Sequence, residues 1–317
     1  MKKYPSIEQF RNIIKKVRLQ HDYQGVENDE PVYHHKTPYP VLKFKGTVKL
    51  HGTNAAIVKY KDKIEYQSRE RILTLNSDNA GFMLNMASKE LDFLFEDIEF
   101  KEYIAIYGEW CGGNIQSGVA LTQLPKMFVI FGYLVDDIWV DIFRHESKYY
   151  IYHIDQFPTY LVDIDFNQPE LIQNKLIDLT LDVEKQCPVA KNFGIEGIGE
   201  GIVFTCVNNA ELKFKSKGEK HSISKVKVLN SVNEEEINSI NEFVDYSVSE
   251  NRLKQGLDYL KEQDLELHQK NTGLFLSWIF KDIEKEEFDT IIKNQLDIKK
   301  INSVGAKKAR TWFFNNI

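Results

Sequence analysis

Cysteine is scarce in this chain: Cys111, Cys187 and Cys206 are the only three in 317 residues. They lie far apart and none forms a C-x-x-C pair, so neither a disulfide framework nor a zinc site is expected. They read as small buried hydrophobes in a protein of the reducing cytoplasm. Long apolar runs are missing too. None approaches the ~20 residues a bilayer-spanning helix needs, and no apolar core follows Met1-Lys2-Lys3-Tyr4-Pro5, so no membrane partner is expected. Positive charge is not in excess: 41 Lys and Arg stand against 47 Asp and Glu, a net charge of −6. That balance argues against holding nucleic acid by bulk electrostatics. There is no G-x-x-x-x-G-K-[ST] loop, which excludes a P-loop kinase or ATPase. Internal repeats and low-complexity tracts are absent as well.

What is present describes an ordinary globular protein, 42% hydrophobic and 28% charged, long enough for one large domain and a smaller one. Its charge is patterned. Lys213, Lys215, Lys217, Lys220, Lys225 and Lys227 face a single Glu219 in that stretch. A second basic cluster holds Lys299, Lys300, Lys307, Lys308 and Arg310. Surfaces that track phosphates need such local concentrations of cation.

From Val41 to Val207 short β-branched and aromatic runs recur. Ala55-Ala56-Ile57-Val58-Lys59-Tyr60 and Lys63-Ile64-Glu65-Tyr66-Gln67-Ser68 flank Lys61-Asp62, a hairpin signal. Residues 103–107 and 127–135 are nearly continuous apolar runs, as buried strands are. Asp136-Asp137 then turns the chain into a strand over 138–143. Helices are expected over 82–95 and 169–181. This is an α+β pattern built on antiparallel sheets. Past Val232 it becomes helical. Ser231-Val232-Asn233-Glu234 resembles a capping box, and Ile237, Ile240, Val244 and Val248 follow at helical spacing. Further helices are expected over 251–263, 271–281, 284–296 and 303–315. The domains are therefore set at 1–232 and 233–317, with 1–40 as an N-terminal extension.

One run carries the chemistry: Gly46-Thr47-Val48-Lys49-Leu50-His51-Gly52-Thr53-Asn54. Lys49 ends a strand-like stretch, and Gly52 removes a side chain where the backbone must turn or come close to something else. An amine held there can attack an electrophile once its charge is suppressed. At its ordinary pKa of ~10.4 it is protonated, so positive neighbours must stabilise the neutral form. The strands around Asn208-Asn209 could supply them. A two-residue hairpin there pairs Val207 with Ala210, Phe204 with Lys213 and Ile202 with Lys215, which puts Glu200, Lys213 and Lys215 on one face. A carboxylate and two lysines so placed can hold a metal-bound triphosphate.

Lys49-Leu50-His51-Gly52-Thr53-Asn54 resembles motif I of the covalent nucleotidyltransferases, in the K-x-H-G-x-N form of RNA ligase 2-type enzymes. Further segments match in the family's order. Ser68-Arg69 resembles motif Ia, Tyr107-Gly108-Glu109 motif III, and Phe128-Val129-Ile130-Phe131-Gly132-Tyr133 motif IIIa. Glu200-Gly201-Ile202-Val203 resembles motif IV and Lys213-Phe214-Lys215 motif V. The family often has Asp where Gly132 stands.

The resemblance implies an ATP-dependent RNA ligase: a nucleotidyltransferase (adenylation) domain followed by a small all-helical domain. It would join 3′-hydroxyl and 5′-phosphate ends through AMP on Lys49 and then on the RNA, in repair or nick sealing. It implies that Glu200 places Mg²⁺ or Mn²⁺ and that Lys213 and Lys215 contact the phosphates. Arg69 and Glu109 would hold the ribose and the reacting ends, Phe131 would stack on adenine, and His51 and Asn54 would shape the phosphate pocket. The partners would be RNA ends, in a nicked duplex or single strand, and an end-healing kinase or phosphatase. A capping-type guanylyltransferase would carry K-x-D-G and a β-barrel domain, which this chain does not offer. A catalytically silent RNA-binding module of the same fold is the other alternative.

Overall fold

The structure, a computed structural model, describes residues 1–113, 115–142, 147–218, 240–294 and 296–317. The chain divides into two compact units: Met1–Leu75 with Gly81–Gly218, and Asn76–Ala80 with Glu219–Ile317.

The first unit opens with helix α1 (Phe10–Asp22), which buries Ile13 and Val17, and a hairpin of β1 (Tyr23–Glu27) and β2 (Glu30–Tyr33). Residues 1–40 therefore form structure of their own. Next come β3 (Val41–Val48), β4 (Gly52–Tyr60) and β5 (Ile64–Ser68), the last two joined at Lys61-Asp62 as expected. Helix α2 (Phe82–Ala87) is shorter than the 82–95 span. The Ser88 hydroxyl donates to the Asn85 carbonyl (2.8 Å), a local bond that competes with helix continuation. Strands β6 (Tyr103–Cys111) and β7 (Met127–Val135) follow the apolar runs. Asp136 and Asp137, both at positive φ (49° and 64°), turn the chain into β8 (Ile138–Val140); Phe143 of the expected strand lies outside the described residues. The unit closes with β9 (Ile151–His153), β10 (Thr159–Asp165), α3 (Gln173–Lys185), α4 (Pro188–Asn192), β11 (Gly201–Cys206) and β12 (Asn209–Lys217).

These strands build two main sheets. One has the order β10-β3-β11-β12, and the other β5-β4-β6-β7-β8 with β9 parallel to β7. Apart from that pair, the pairing within both is antiparallel, as an α+β fold requires. One face of the four-stranded sheet buries Phe44, Ile202, Phe204, Leu212 and Phe214 with Ile13 of α1 and Val183 of α3. One face of the larger sheet packs Ile57, Ile106 and Phe128 against Phe82 and Met86 of α2. The three cysteines are buried and free, as their scarcity suggested.

The expected hairpin register is corrected. Thr205 pairs with Lys213, Phe204 with Phe214 and Val203 with Lys215, while Cys206 pairs with Asn209 across an irregularity. Phe204 stacks on Phe214 at 5.0 Å, and both rings belong to the core. Burial of that apolar set decides the register, because a one-residue slip would turn it to the other face.

From residue 240 on, the second unit is helical: α5 (Ile240–Ser247), α6 (Glu250–Glu262), α7 (Thr272–Lys293) and α8 (Ile298–Asn315), besides a 3₁₀ turn at Gln269–Asn271. Its core gathers Phe243, Val248, Leu260, Phe275, Ile279 and Phe313. The two helices expected over 271–281 and 284–296 are one, since no Pro or Gly interrupts that stretch. Helix α8 begins before Ser303 because Asp297 caps it, accepting from the Lys299 and Lys300 backbone N–H groups. The capping box at 231–234, Ile237 and the expected boundary at 232/233 lie outside the described residues.

Candidate active site

Strand β3 ends at Val48, and Lys49 leaves it with its N–H on the Gly201 carbonyl (2.8 Å). The same carbonyl-side crossing brings the start of β11 beside the lysine, so Glu200 faces it from 151 positions away in sequence. Two glycines make the approach possible. A Cβ on Gly201 (φ +149°) would lie 2.1 Å from the Ser216 carbonyl oxygen, and one on Gly52 would lie 2.4 Å from that of Trp110. Nothing larger fits either position.

Glu200, 3% exposed, is the centre of the group. Its Oε2 lies 2.7 Å from Lys49 Nζ and 3.0 Å from His51 Nδ1. Its Oε1 lies 3.0 Å from Lys217 Nζ. Burial opposes ionisation of Glu200, but the Lys49 and Lys217 ammonium groups and the His51 ring outweigh it and hold the carboxyl well below its usual range. Glu109 behaves in the opposite way. On β6, with Asn54 of β4 as its cross-strand partner, it accepts the Gly52 N–H at 3.1 Å. Burial pushes its carboxyl up to about 7, helped by the nearby Glu200 and resisted by Lys49 and His51.

Lys213, Lys215 and Lys217 alternate along β12 and so share one face. Of the three, Lys217 is the one ion-paired to Glu200. Sequence reasoning counted it in the basic cluster but assigned it no place in the site; its spacing of two from Lys215 was the signal. Lys215 is half-buried and its N–H donates to the Glu8 carbonyl (3.0 Å). Lys213 is 4% exposed. Its Nζ donates to the Tyr4 hydroxyl (2.7 Å) and sits over the Tyr4 and Trp139 rings. Burial lowers its pKa to about 8. Phe131 of β7 is half-buried, its ring 4.9 Å from Tyr4. Arg69 is exposed in the turn after β5. The structure thus gathers Lys49, His51 and Lys217 around Glu200, with Glu109 and Asn54 on the neighbouring strands. Lys213 and Phe131 sit in an aromatic group, and Lys220, Lys225 and Lys227 lie outside the described residues.

Two lysines and an imidazole around one carboxylate leave local positive charge, which suits an anion. Among the described residues no three His, Cys, Asp or Glu side chains converge as a metal cage. The donors present are carboxylates, and Mg²⁺ is ordinarily held by one or two of these together with water and phosphate oxygens. Glu200 and Glu109 fit that kind of ion and not zinc.

A family model described as RNA ligase matches residues 43–227. The chain belongs to the RNA ligase family. Among solved structures it is similar to the Naegleria gruberi RNA ligase with pyrophosphate, at 18% identity and a TM-score of 0.43, covering 69% of this chain and 56% of that one. A variant of that ligase with ATP and Mn is 17% identical, with a TM-score of 0.42, covering 68% and 56%. Another with AMP and Mn is 18% identical, with a TM-score of 0.44, covering 69% and 56%. The chain thus spans little more than half the length of these relatives. No curated protein matches it.

Proposed function

We propose that this protein is an ATP-dependent RNA ligase whose first step puts AMP on Lys49. The observation that carries the reading is the Lys49–Glu200–Lys217 group with His51, in a chain of the RNA ligase family. Lys49 Nζ attacks the α-phosphorus of ATP, the bond to pyrophosphate breaks, and the amine loses a proton. The AMP passes to the 5′-phosphate of an RNA, and a 3′-hydroxyl then displaces it.

The ion pair with Glu200 stabilises the ammonium form of Lys49. Attack therefore requires Glu200 to be drawn toward other cations, and Lys217 already holds its second oxygen. Lys215 and Lys217 then stand beside the phosphates as charge grows on them, with Lys213 further along the same strand. Mg²⁺ or Mn²⁺ held by Glu200, with Glu109 near, would neutralise phosphate charge and orient the leaving group. Phe131 offers a ring for the adenine, and Arg69 and Asn54 lie on the elements flanking the site. Residues 1–232 make up the adenylation domain, and residues 233–317 engage the RNA ends, in a nicked duplex or a single strand. The ends come from an end-healing kinase or phosphatase, and the setting is cytoplasmic repair.

The test is incubation with α-labelled ATP and Mg²⁺ after pyrophosphate treatment, beside Lys49→Ala. Acid-labile label on the wild type that the variant loses supports the reading. Label from GTP would make it a capping-type enzyme, and no label with either nucleotide would leave a silent RNA-binding module.

A further inference from the structure

The N-terminal residues carry no family motif, yet they cross the adenylation unit from one sheet to the other. At one end the Lys2 N–H donates to Gln67 Oε1 (3.1 Å), the Lys2 carbonyl accepts the Tyr107 hydroxyl (3.2 Å), and Lys2 Nζ pairs with Asp137 (3.1 Å). Lys3 reaches Glu70 at 3.1 Å. At the other end Glu8 pairs with the edge strand β12: its N–H donates to the Lys213 carbonyl (3.1 Å) and its carbonyl accepts the Lys215 N–H (3.0 Å). Between these anchors the Tyr4 ring enters a group of aromatic rings. Its centroid lies 4.9 Å from Phe131, 5.3 Å from Tyr107 and 5.5 Å from Trp139.

The register of β7 makes that placement consequential. Tyr107 pairs with Gly132 and Gly108 with Ile130, so Phe131 is the extra residue of a bulge. A bulged residue has no ladder partner to fix its direction, and bulges serve to re-aim side chains. The ring of Tyr4 meets Phe131 edge-on at 62°, a favoured aromatic geometry. Gly132 contributes as well: a Cβ there would lie 3.2 Å from the Trp139 ring and 3.6 Å from the Tyr4 ring. The absence of a side chain at 132 leaves the Tyr4 and Trp139 rings their room beside the bulge.

We propose that Tyr4 is a positioning residue of the nucleotide site, the Lys2-to-Glu8 segment clasping the two sheets so that its ring aims Phe131 at the nucleobase. The inference rests on the ATP-dependent reading given above. It makes the N-terminal segment part of nucleotide recognition, acting through Phe131 without touching the reacting atoms.

The experiment measures the rate of lysyl-AMP formation against ATP concentration for the full chain and four variants: Tyr4→Ala, Tyr4→Phe, Phe131→Ala and the Tyr4→Ala/Phe131→Ala pair. Tyr4→Ala is expected to raise the KM for ATP ~10-fold with kcat within about twofold, the size of a lost aromatic pair. Tyr4→Phe keeps the ring and recovers most of the affinity. With Phe131 already removed, Tyr4→Ala should add little, because residues that act together are not additive. Thermal unfolding is followed for each variant, and Tyr4→Leu replaces Tyr4→Ala if the latter does not fold. An unchanged KM, a fall confined to kcat, or a full additional penalty in the double variant would overturn the inference. A wild type that takes no label from ATP overturns the ligase reading and this inference with it, an outcome distinct from a labelled enzyme indifferent to Tyr4.

Discussion

Both units of the chain bury a charged group ringed by ionic partners, Glu200 in one and Arg252 in the other, and these two groups are built in opposite ways. In the first unit a carboxylate is central: Glu200, 3% exposed, with the Lys49, His51 and Lys217 side chains around it at 21%, 18% and 15% exposure. In the helical unit the centre is Arg252 of α6, 0% exposed. Its Nε lies 2.8 Å from Asp282 and its Nη2 3.4 Å from Glu287, while Nη1 donates to the Ser247 carbonyl. A guanidinium spreads fixed donors over partners on two helices and stays charged, so it ties elements together. The Glu200 group keeps its cations partly open to solvent, where they can exchange one anion for another. A buried charge surrounded by its opposites holds a fold. One whose partners face outward is poised for a ligand.

The largest expected effect tests that distinction at Glu200. Glu200→Gln keeps the size and an acceptor oxygen but removes the charge. Single-turnover labelling with ATP should slow by ~10²–10³, the cost of removing one preorganised electrostatic group, with only a small change in thermal unfolding. A large loss of stability at an unchanged labelling rate would place Glu200 with Arg252 and break the comparison.

Arg252→Ala is the converse. It leaves the Asp282 and Glu287 carboxylates, 20% and 5% exposed, without their cation. Breaking a buried pair in this way costs about 3–5 kcal/mol. Urea unfolding should show that loss in the helical unit while the full chain still labels Lys49 from ATP. Wild-type unfolding by the variant would mean that the cluster is not what holds α6 to α7.

Local signals were the legible part of this chain. The Lys61-Asp62 hairpin, the apolar runs of β6 and β7 and the helical spacing of Ile240 and Val244 in α5 were all readable, because each depends on neighbours a few residues away. The β11–β12 register was not, since stacking of Phe204 on Phe214 and their common burial override the turn signal at Asn208-Asn209. The motif pattern named candidate site residues, but not the partners their side chains choose. Lys49 meets Glu200 across 151 positions, and Lys213 turns to Tyr4 across 209. No local pattern records such long-range pairings, which is also why Lys217 and Tyr4 went unassigned. Residues 1–40 contain α1 and a hairpin that carry no motif.

Lys213 gives the smallest effect and the finest test, because it is a buried cation set against a hydroxyl and aromatic rings where Lys49 has a carboxylate. Its ammonium has the Tyr4 hydroxyl and two aromatic faces, at 4.4 and 4.6 Å. Rings offset only part of the desolvation, and burial lowers the pKa from 10.5 to about 8. Between those values the unfolded chain binds the proton more tightly than the folded one. Stability contributed by this site therefore rises as pH climbs from about 8 toward 10.5, and below about 8 the charge is carried at a constant cost. At ~1.4 kcal/mol per pH unit the full gain is at most about 3 kcal/mol. Lys213→Met removes the proton exchange and keeps most of the volume. The difference in urea midpoint between wild type and variant should shift toward the wild type across that window. A difference that stays flat with pH would mean that the rings and the hydroxyl stabilise the ammonium as fully as water does.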